Sequence, residues 1–181
     1  MKNRIRNFIA TAIGMSLILF WASGCERDDI CADGTPITPR LKINFFDNQE
    51  NTPKAPAELQ VSFLEEDGRE IVLDTMFTQD SIAIPLPTDR DSIDYIFTIN
   101  SDTSQGDGNL MPNSDRLRIK FNPEEEFVSR ACGFRIVYTS LSVERQEEDE
   151  DENRWILRSP EIIAEQNAIL NEEGSHIRIF H

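Results

Sequence analysis

Short segments in which apolar and polar residues alternate recur along the chain after residue 40, and they constrain its fold more than any other feature. The clearest lies at 93–100, where every second residue is Ile, Tyr, Phe or Ile. A period of two is typical of a strand with one buried face. Other segments of strand character lie at 41–45, 59–63, 71–73, 81–86, 117–121, 134–143, 154–157 and 176–180. The pattern predicts an all-β fold, a single antiparallel, immunoglobulin-like β-sandwich.

Turn-forming residues separate these segments. The Asp67-Gly68 pair predicts a hairpin that joins the strand at 59–63 to the strand starting at Ile71. The stretch 160–170 is ambiguous, because Pro160 is also suited to opening a helix that would place several isoleucines on one face. We prefer a pair of strands there, with 171–174 as the turn before the last strand.

The start of the chain has the organisation of a lipoprotein export signal. Its basic residues are Lys2, Arg4 and Arg6, and no acid accompanies them. The apolar run from Phe8 to Trp21 has signal-peptide length and is shorter than the roughly 20 residues of a membrane-spanning helix. Small residues at 22–24 then precede Cys25, although Ala22 stands where leucine is commoner. We predict a signal peptide at 1–24 and a diacylglyceryl thioether on Cys25; an ordinary secretory signal and an uncleaved anchor are the alternatives.

The mature chain is predicted to consist of a lipidated tether and leading segment at 25–39 and a β-sandwich domain at 40–181. Glu26–Asp29 is a charged run, which suits a solvated tether. It also resembles the acidic tetrad that directs Bacteroidetes lipoproteins to the outer leaflet, although here Glu26 precedes the basic residue. We therefore expect an outer-membrane protein held by its lipid, with either a periplasmic or a cell-surface position.

Two cysteines remain besides Cys25. Exported proteins enter an oxidising compartment, so an even pair predicts a disulfide between Cys31 and Cys132. It would close a loop of about 100 residues, which the chain-entropy model values at roughly 4–5 kcal/mol. Two buried free thiols are the alternative. A metal site is not predicted, because two thiols are too few ligands and neither histidine lies at a ligand spacing from them.

Several short motifs resemble one known family. They are Asp28-Asp29-Ile30-Cys31, Thr38-Pro39-Arg40, Arg130-Ala131-Cys132-Gly133-Phe134 and His176-Ile177-Arg178-Ile179-Phe180. Together they resemble uncharacterised Bacteroidetes lipoproteins that carry a domain of unknown function, over nearly the whole chain after the signal peptide. The resemblance implies a fold and a lipid-anchored placement. It implies no activity and no functional residues.

The chain is strongly acidic, with 33 acids, 18 basic residues and a net formal charge of −15. This balance argues against nucleic acid as a partner and against electrostatic docking on an anionic membrane. Arg116, Arg118 and Lys120 form the basic face of one segment, and we expect them to pair with carboxylates across the sheet. The six acids at 147–152 are expected at a solvated loop tip, with a weak cation site or a handle for a basic partner as the lesser alternative.

The sequence offers little for metal binding or catalysis. Asp102, Asp107 and Asp115 lack the spacing of a calcium loop, so a polar surface loop is predicted. The only histidines are His176 and His181, and no nucleophile elbow is present. We expect His176 on the surface, or barely buried, in the last strand. No catalytic residue, no metal, no cofactor and no enzymatic activity are predicted.

Three serine or threonine residues follow an aspartate and precede an apolar residue. They are Thr75, Ser81 and Ser92, in the triplets Asp-Thr-Met, Asp-Ser-Ile and Asp-Ser-Ile. These triplets resemble the O-glycosylation acceptor of exported Bacteroidetes proteins. Ordinary turn or strand-start positions are the alternative. Glycosylation requires that the three residues lie where the chain enters or leaves strands, with their hydroxyl groups in solvent.

The sequence therefore predicts a lipid-anchored cell-envelope protein that is a non-catalytic binding or structural module, with the outer membrane and a possible envelope protein as partners. A glycan-binding accessory lipoprotein of an outer-membrane nutrient-uptake system is the alternative. Such sites present aromatic platforms, for which the mature chain has Trp155, Tyr95 and Tyr138. Core packing is the favoured role of all three. An exposed, flat patch around Trp155 would favour the glycan alternative.

Overall fold

A computed structural model describes Arg4 and residues 30–65, 67–77, 79–101, 111–146 and 154–181, with the backbone alone at 74–77. These residues contain nine strands: β1 Leu41–Phe46, β2 Leu59–Leu64, β3 Glu70–Phe77, β4 Ser81–Ile84, β5 Ser92–Ile99, β6 Asn113–Ser129, β7 Gly133–Gln146, β8 Glu161–Ile162 and β9 Ile177–Phe180. Cys25, the tether Glu26–Asp29, Asp102, Asp107 and the acidic run Glu147–Glu152 lie outside the described residues.

The strands form two sheets that pack together as a sandwich. One sheet has the order β4-β1-β9-β8 and the other the order β3-β2-β5-β6-β7. In the first sheet, β1 runs antiparallel to β4 and parallel to β9, so that Ile43 lies between Ile82 and Ile177. The prediction of an all-β sandwich is confirmed. The parallel pairing of the first and last strands is a feature that the sequence did not indicate.

Alternation along each strand produces the core between the sheets. Leu41, Ile43 and Phe45 of β1 are fully buried, whereas the residues between them are partly exposed. On β5 the same period buries Tyr95 and Phe97. Each large apolar side chain that is fully buried stabilises the fold by about 1.5–3 kcal/mol relative to exposure. The period-two face read from the sequence is therefore the face that holds the two sheets together.

The predicted hairpin between β2 and β3 is present. The N–H of Gly68 donates to the carbonyl of Glu65 over 2.9 Å, and the N–H of Glu65 donates to the carbonyl of Arg69 over 2.8 Å. Gly68 has a φ of +81°, which an L side chain rarely adopts. This requirement explains why an Asp-Gly pair marks the turn.

The segment 154–157 is not a strand, contrary to the prediction. The N–H groups of Trp155 and Ile156 donate to the carboxylate of Asp115, over 3.0 and 2.7 Å, rather than to a neighbouring strand. The Asp115 side chain thus takes the place of the backbone hydrogen bonds to a neighbouring strand that the apolar pattern suggested. Further along, 160–170 contains β8 and a 3-10 turn at Glu165–Asn167, and β8 pairs with β9. The preferred strand pair is therefore present, but β8 is only two residues long.

The chain divides into two compact units. The larger comprises Pro36–Phe127 and Phe134–His181, and the smaller comprises the chain up to Thr35 together with Val128–Gly133. Among the residues that the structure describes, no helix has the length and hydropathy needed to cross a membrane.

Candidate functional site

The smaller unit contains the predicted disulfide. Cys31 and Cys132 are bonded, with their Cα atoms 5.0 Å apart and a sequence separation of 101. The Cys132 N–H donates to Ser129 Oγ over 3.0 Å, and the Sγ of Cys132 lies 3.6 Å from Thr35 Oγ1. Thr35 Oγ1 donates to the carbonyl of Ala32 over 2.6 Å, which closes a turn directly after Cys31. The prediction of a bond between these two cysteines is confirmed.

Two of the three glycosylation candidates begin strands. Ser81 is the first residue of β4 and borders a groove of about 430 Å³, and Ser92 is the first residue of β5 and borders a cleft of about 490 Å³. Both are half-buried, and the Ser92 hydroxyl donates to Asp91 Oδ1 over 3.1 Å. Thr75 lies inside β3 rather than at its end, so the expected strand-edge position is wrong for Thr75, whose side chain is outside the described residues. Glycosylation itself stays a prediction.

The three aromatic residues considered for glycan binding are buried. Trp155 is 6% exposed and its Nε1–H donates to the carbonyl of Phe97 over 3.0 Å. Tyr138 donates its hydroxyl hydrogen to the carbonyl of Leu86 over 2.9 Å, and Tyr95 donates to the carbonyl of Pro85. Burial raises the pKa of both tyrosines. The favoured role of these side chains, core packing, is confirmed, and they form no flat patch around Trp155.

His176 is buried, contrary to the expectation of a surface or barely buried residue. Only 5% of it is exposed, because it directly precedes β9 and its backbone N–H already donates to the carbonyl of Lys42 on β1 over 2.9 Å. Nδ1 accepts the backbone N–H of Lys42 over 2.9 Å, and Nε2 lies 3.0 Å from the carbonyl of Asn171. Nδ1 is thus the acceptor and Nε2 the protonated donor, and burial lowers the pKa of the ring. Both nitrogens are engaged by backbone, so this ring is poorly placed to act as a general base.

Asp115 has a structural role that the sequence did not indicate. It is 7% exposed and holds two consecutive backbone N–H groups, at Trp155 and Ile156. Its carboxylate thereby holds the backbone of Trp155 and Ile156, whose side chains belong to the hydrophobic core. Within 30–65, 67–77, 79–101, 111–146 and 154–181, no group of three or more His, Cys, Asp or Glu side chains is arranged to hold a metal ion.

Two of the three cations on the basic face of β6, Arg118 and Lys120, pair with acids of the neighbouring strands, as predicted. Arg118 contacts both carboxylate oxygens of Asp94 on β5 at 2.7 Å, and Lys120 contacts Glu144 on β7 at 2.9 Å. The hydrogen bond from Arg118 lowers the pKa of Asp94. Arg118, Lys120 and Ser92 line the cleft of about 490 Å³. Since these cations already face acids, the cleft offers an anionic ligand little net positive charge.

Two phenylalanines lie exposed side by side where β6 and β7 extend past the rest of their sheet. The register of β5 on β6 ends at Lys120, so residues 122–127 of β6 continue beyond it with β7 as their neighbour. Phe127 is 58% exposed and Phe134 is 64% exposed. Their rings meet edge to face, with centroids 5.4 Å apart. We call these two side chains the phenylalanine pair.

Arg135 follows Phe134 and connects this part of β7 to two other segments of the chain. Arg135, next to Phe134, donates to the carbonyls of Ile37 and Leu170 over 3.4 and 3.0 Å, and both of those side chains are exposed. Its Nε also donates to Glu126 over 2.6 Å, which neutralises that carboxylate. The sequence pattern did not predict the phenylalanine pair, because Pro123 and three glutamates interrupt the apolar alternation of β6. The signal available in the sequence was the presence of two phenylalanines, Phe127 and Phe134, one on each side of a turn.

Comparisons with known proteins give one family. Residues 58–181 match the model of a family described as a family of unknown function, DUF6452. No curated protein matches the chain. No solved structure matches it either.

Proposed function

The chain belongs to the DUF6452 family of unknown function, and we propose from its own residues that it is a lipid-anchored cell-envelope protein acting as a non-catalytic binding or structural module. In this proposal the acyl chains on Cys25 hold the protein at the outer membrane of a Bacteroidetes cell, facing the periplasm or the cell surface. Its partner, apart from the membrane, is another envelope protein.

The observation that carries the proposal is the leader itself, with its basic start, short apolar run and small residues before Cys25. The bond between Cys31 and Cys132 supports it, because disulfides form and persist in oxidising compartments outside the cytosol. The acidic balance of the chain is compatible with high solubility in the envelope.

A non-catalytic role is supported by how the described polar groups are used. Both ring nitrogens of His176 face backbone groups, and the carboxylate of Asp115 holds two backbone N–H groups. The glycan-binding alternative loses support because Trp155, Tyr95 and Tyr138 are buried. A surface of the sandwich, rather than a pocket with reactive groups, is therefore the part we propose to be functional.

The anchor is tested by replacing Cys25 with serine and growing the cells with an alkyne-labelled fatty acid. We expect the wild-type chain to be labelled and to fractionate with membranes, and Cys25→Ser to remain an unlabelled precursor. Cys132→Ser is the matched control, because it removes a cysteine and the disulfide while leaving acylation intact. Labelling of Cys25→Ser at the wild-type level would refute the anchor assignment. Cross-linking in intact envelopes, followed by purification, would then identify the protein partner.

A further inference from the structure

The covalent path from the proposed lipid to the phenylalanine pair is short. Cys25 and Cys31 are six residues apart, which is at most about 22 Å of extended chain. The disulfide spans 5.0 Å between Cα atoms, and Phe134 follows Cys132 by two residues, about 7 Å at most. The whole path is therefore no longer than about 35 Å. By comparison, β6 with its 17 residues is about 55 Å long.

Because of the disulfide, a lipid on Cys25 would restrain the end of the β6–β7 ribbon that contains Phe134. Residues near Phe134 cannot move farther from the acylated cysteine than this path allows. Met111, which precedes the other end of β6, lies about 50 Å of strand away from Phe127. The exposed aromatic side chains are therefore at the end of the ribbon that is held near the bilayer.

The chemistry of this end suits an apolar contact with lipid. Two large aromatic side chains without polar groups are exposed together, and contiguous exposed apolar surface of this kind marks an interaction site. Phenylalanine is among the residues that peripheral proteins bury at the boundary between headgroups and acyl chains. The acyl chains on Cys25 would hold this end of the domain beside the bilayer, and an apolar contact next to them would add buried apolar area to the attachment.

The charges near the phenylalanine pair indicate which kind of lipid surface it could contact. Glu126 is paired with Arg135, whereas Glu124 and Glu125 are exposed acids. These acids oppose attraction to anionic headgroups, so the contact must come from the aromatic rings. Building on the proposed acylation of Cys25, we propose that the phenylalanine pair rests in the interface of the same bilayer, as a second attachment point of the domain.

The test places a tryptophan in the pair and measures its quenching by brominated acyl chains. Phe134→Trp is made in the full lipidated chain, where Trp155 is the other tryptophan and is buried. Met111→Trp is the matched control, because Met111 is 83% exposed at the opposite end of β6. Each protein is reconstituted in phosphatidylcholine vesicles with and without bromine. We expect about a twofold loss of the added fluorescence for Phe134→Trp and almost none for Met111→Trp.

Flotation of the same vesicles separates the two proposals. A chain that floats while Phe134→Trp stays unquenched retains its anchor and overturns the proposed membrane contact. A chain that does not float overturns both the anchor and the contact that depends on it. Quenching that is equal for Phe134→Trp and Met111→Trp also contradicts the proposal, because it shows no preferred end. If Phe134→Trp is unquenched in pure lipid and a photo-cross-linking residue at position 134 links to a protein in native envelopes, the pair is a protein-docking surface instead.

Discussion

Replacing Asp115 with alanine is expected to lower the free energy of unfolding by about 2–6 kcal/mol. One carboxylate oxygen, Oδ2, accepts two backbone N–H groups, from Trp155 at 3.0 Å and from Ile156 at 2.7 Å. Asp115 is 7% exposed and Ile156 is fully buried, so water cannot readily replace the lost acceptor. A buried donor left without a partner costs about 1–3 kcal/mol, and the substitution leaves two. At about 2–4 °C per kcal/mol, the melting temperature should fall by roughly 4–24 °C.

Urea unfolding of the oxidised chain from residue 25 onward measures this effect directly. Trp155 is the single tryptophan after residue 24, so the fluorescence of this residue reports on the segment that Asp115 holds. Asp94→Ala is the matched control, because it removes an aspartate whose partner, Arg118, is 42% exposed in its side chain. Such a pair is worth about 1 kcal/mol or less. An Asp115→Ala loss no larger than that of Asp94→Ala, at an unchanged denaturant slope, would refute the reasoning.

Three further predictions concern the disulfide, His176 and the serines. Mass spectrometry without reduction should recover a peptide pair joined through Cys31 and Cys132, and the double serine variant should lose up to about 4–5 kcal/mol of stability; alkylation of both cysteines without prior reduction would contradict the bond. Burial lowers the pKa of His176 below its ordinary 6.5, so its contribution to stability is complete above that value and is lost as the pH falls through the folded pKa. His176→Asn, which keeps an acceptor for the Lys42 N–H, should lose less stability than wild type between about pH 7 and pH 5; identical slopes would exclude His176 as the group that titrates. The intact mass of protein from its own host should exceed polypeptide plus lipid if Ser81 or Ser92 carries a glycan, and the excess should shrink in Ser81→Ala or Ser92→Ala; a mass without excess would leave both as ordinary strand-start residues.

The parts of the fold that depend on local pattern could be predicted. The alternation around Tyr95 and Phe97 gave both the strand and its buried face. The Asp67-Gly68 pair gave a hairpin, because its glycine must adopt a positive φ. The bond between Cys31 and Cys132 followed from counting cysteines in a chain that we predict to be exported.

The features that were missed depend on residues far apart in the chain. The hydrogen bonds from Trp155 and Ile156 to Asp115 span about 40 residues, and no local sequence pattern indicates them. The burial of His176 follows from the position of β9 inside its sheet, which alternation cannot reveal. The exposure of the phenylalanine pair depends on where the pairing of β5 with β6 stops, which is a matter of register between strands.

The pairing of β1 with β9 also bears on the order in which the chain can fold. Ile43 lies opposite Ile177, so the middle of this sheet cannot close until nearly the whole polypeptide is present. Contacts between such distant residues require the longest loop closures and slow the folding of β proteins. Until β9 arrives, β1 has β4 as its sheet partner and otherwise presents an open edge, the kind of surface that recruits foreign strands. In a chain synthesised from its amino end, the edge of β1 would therefore stay exposed to aggregation until β9, the last strand, has been made and has paired with it.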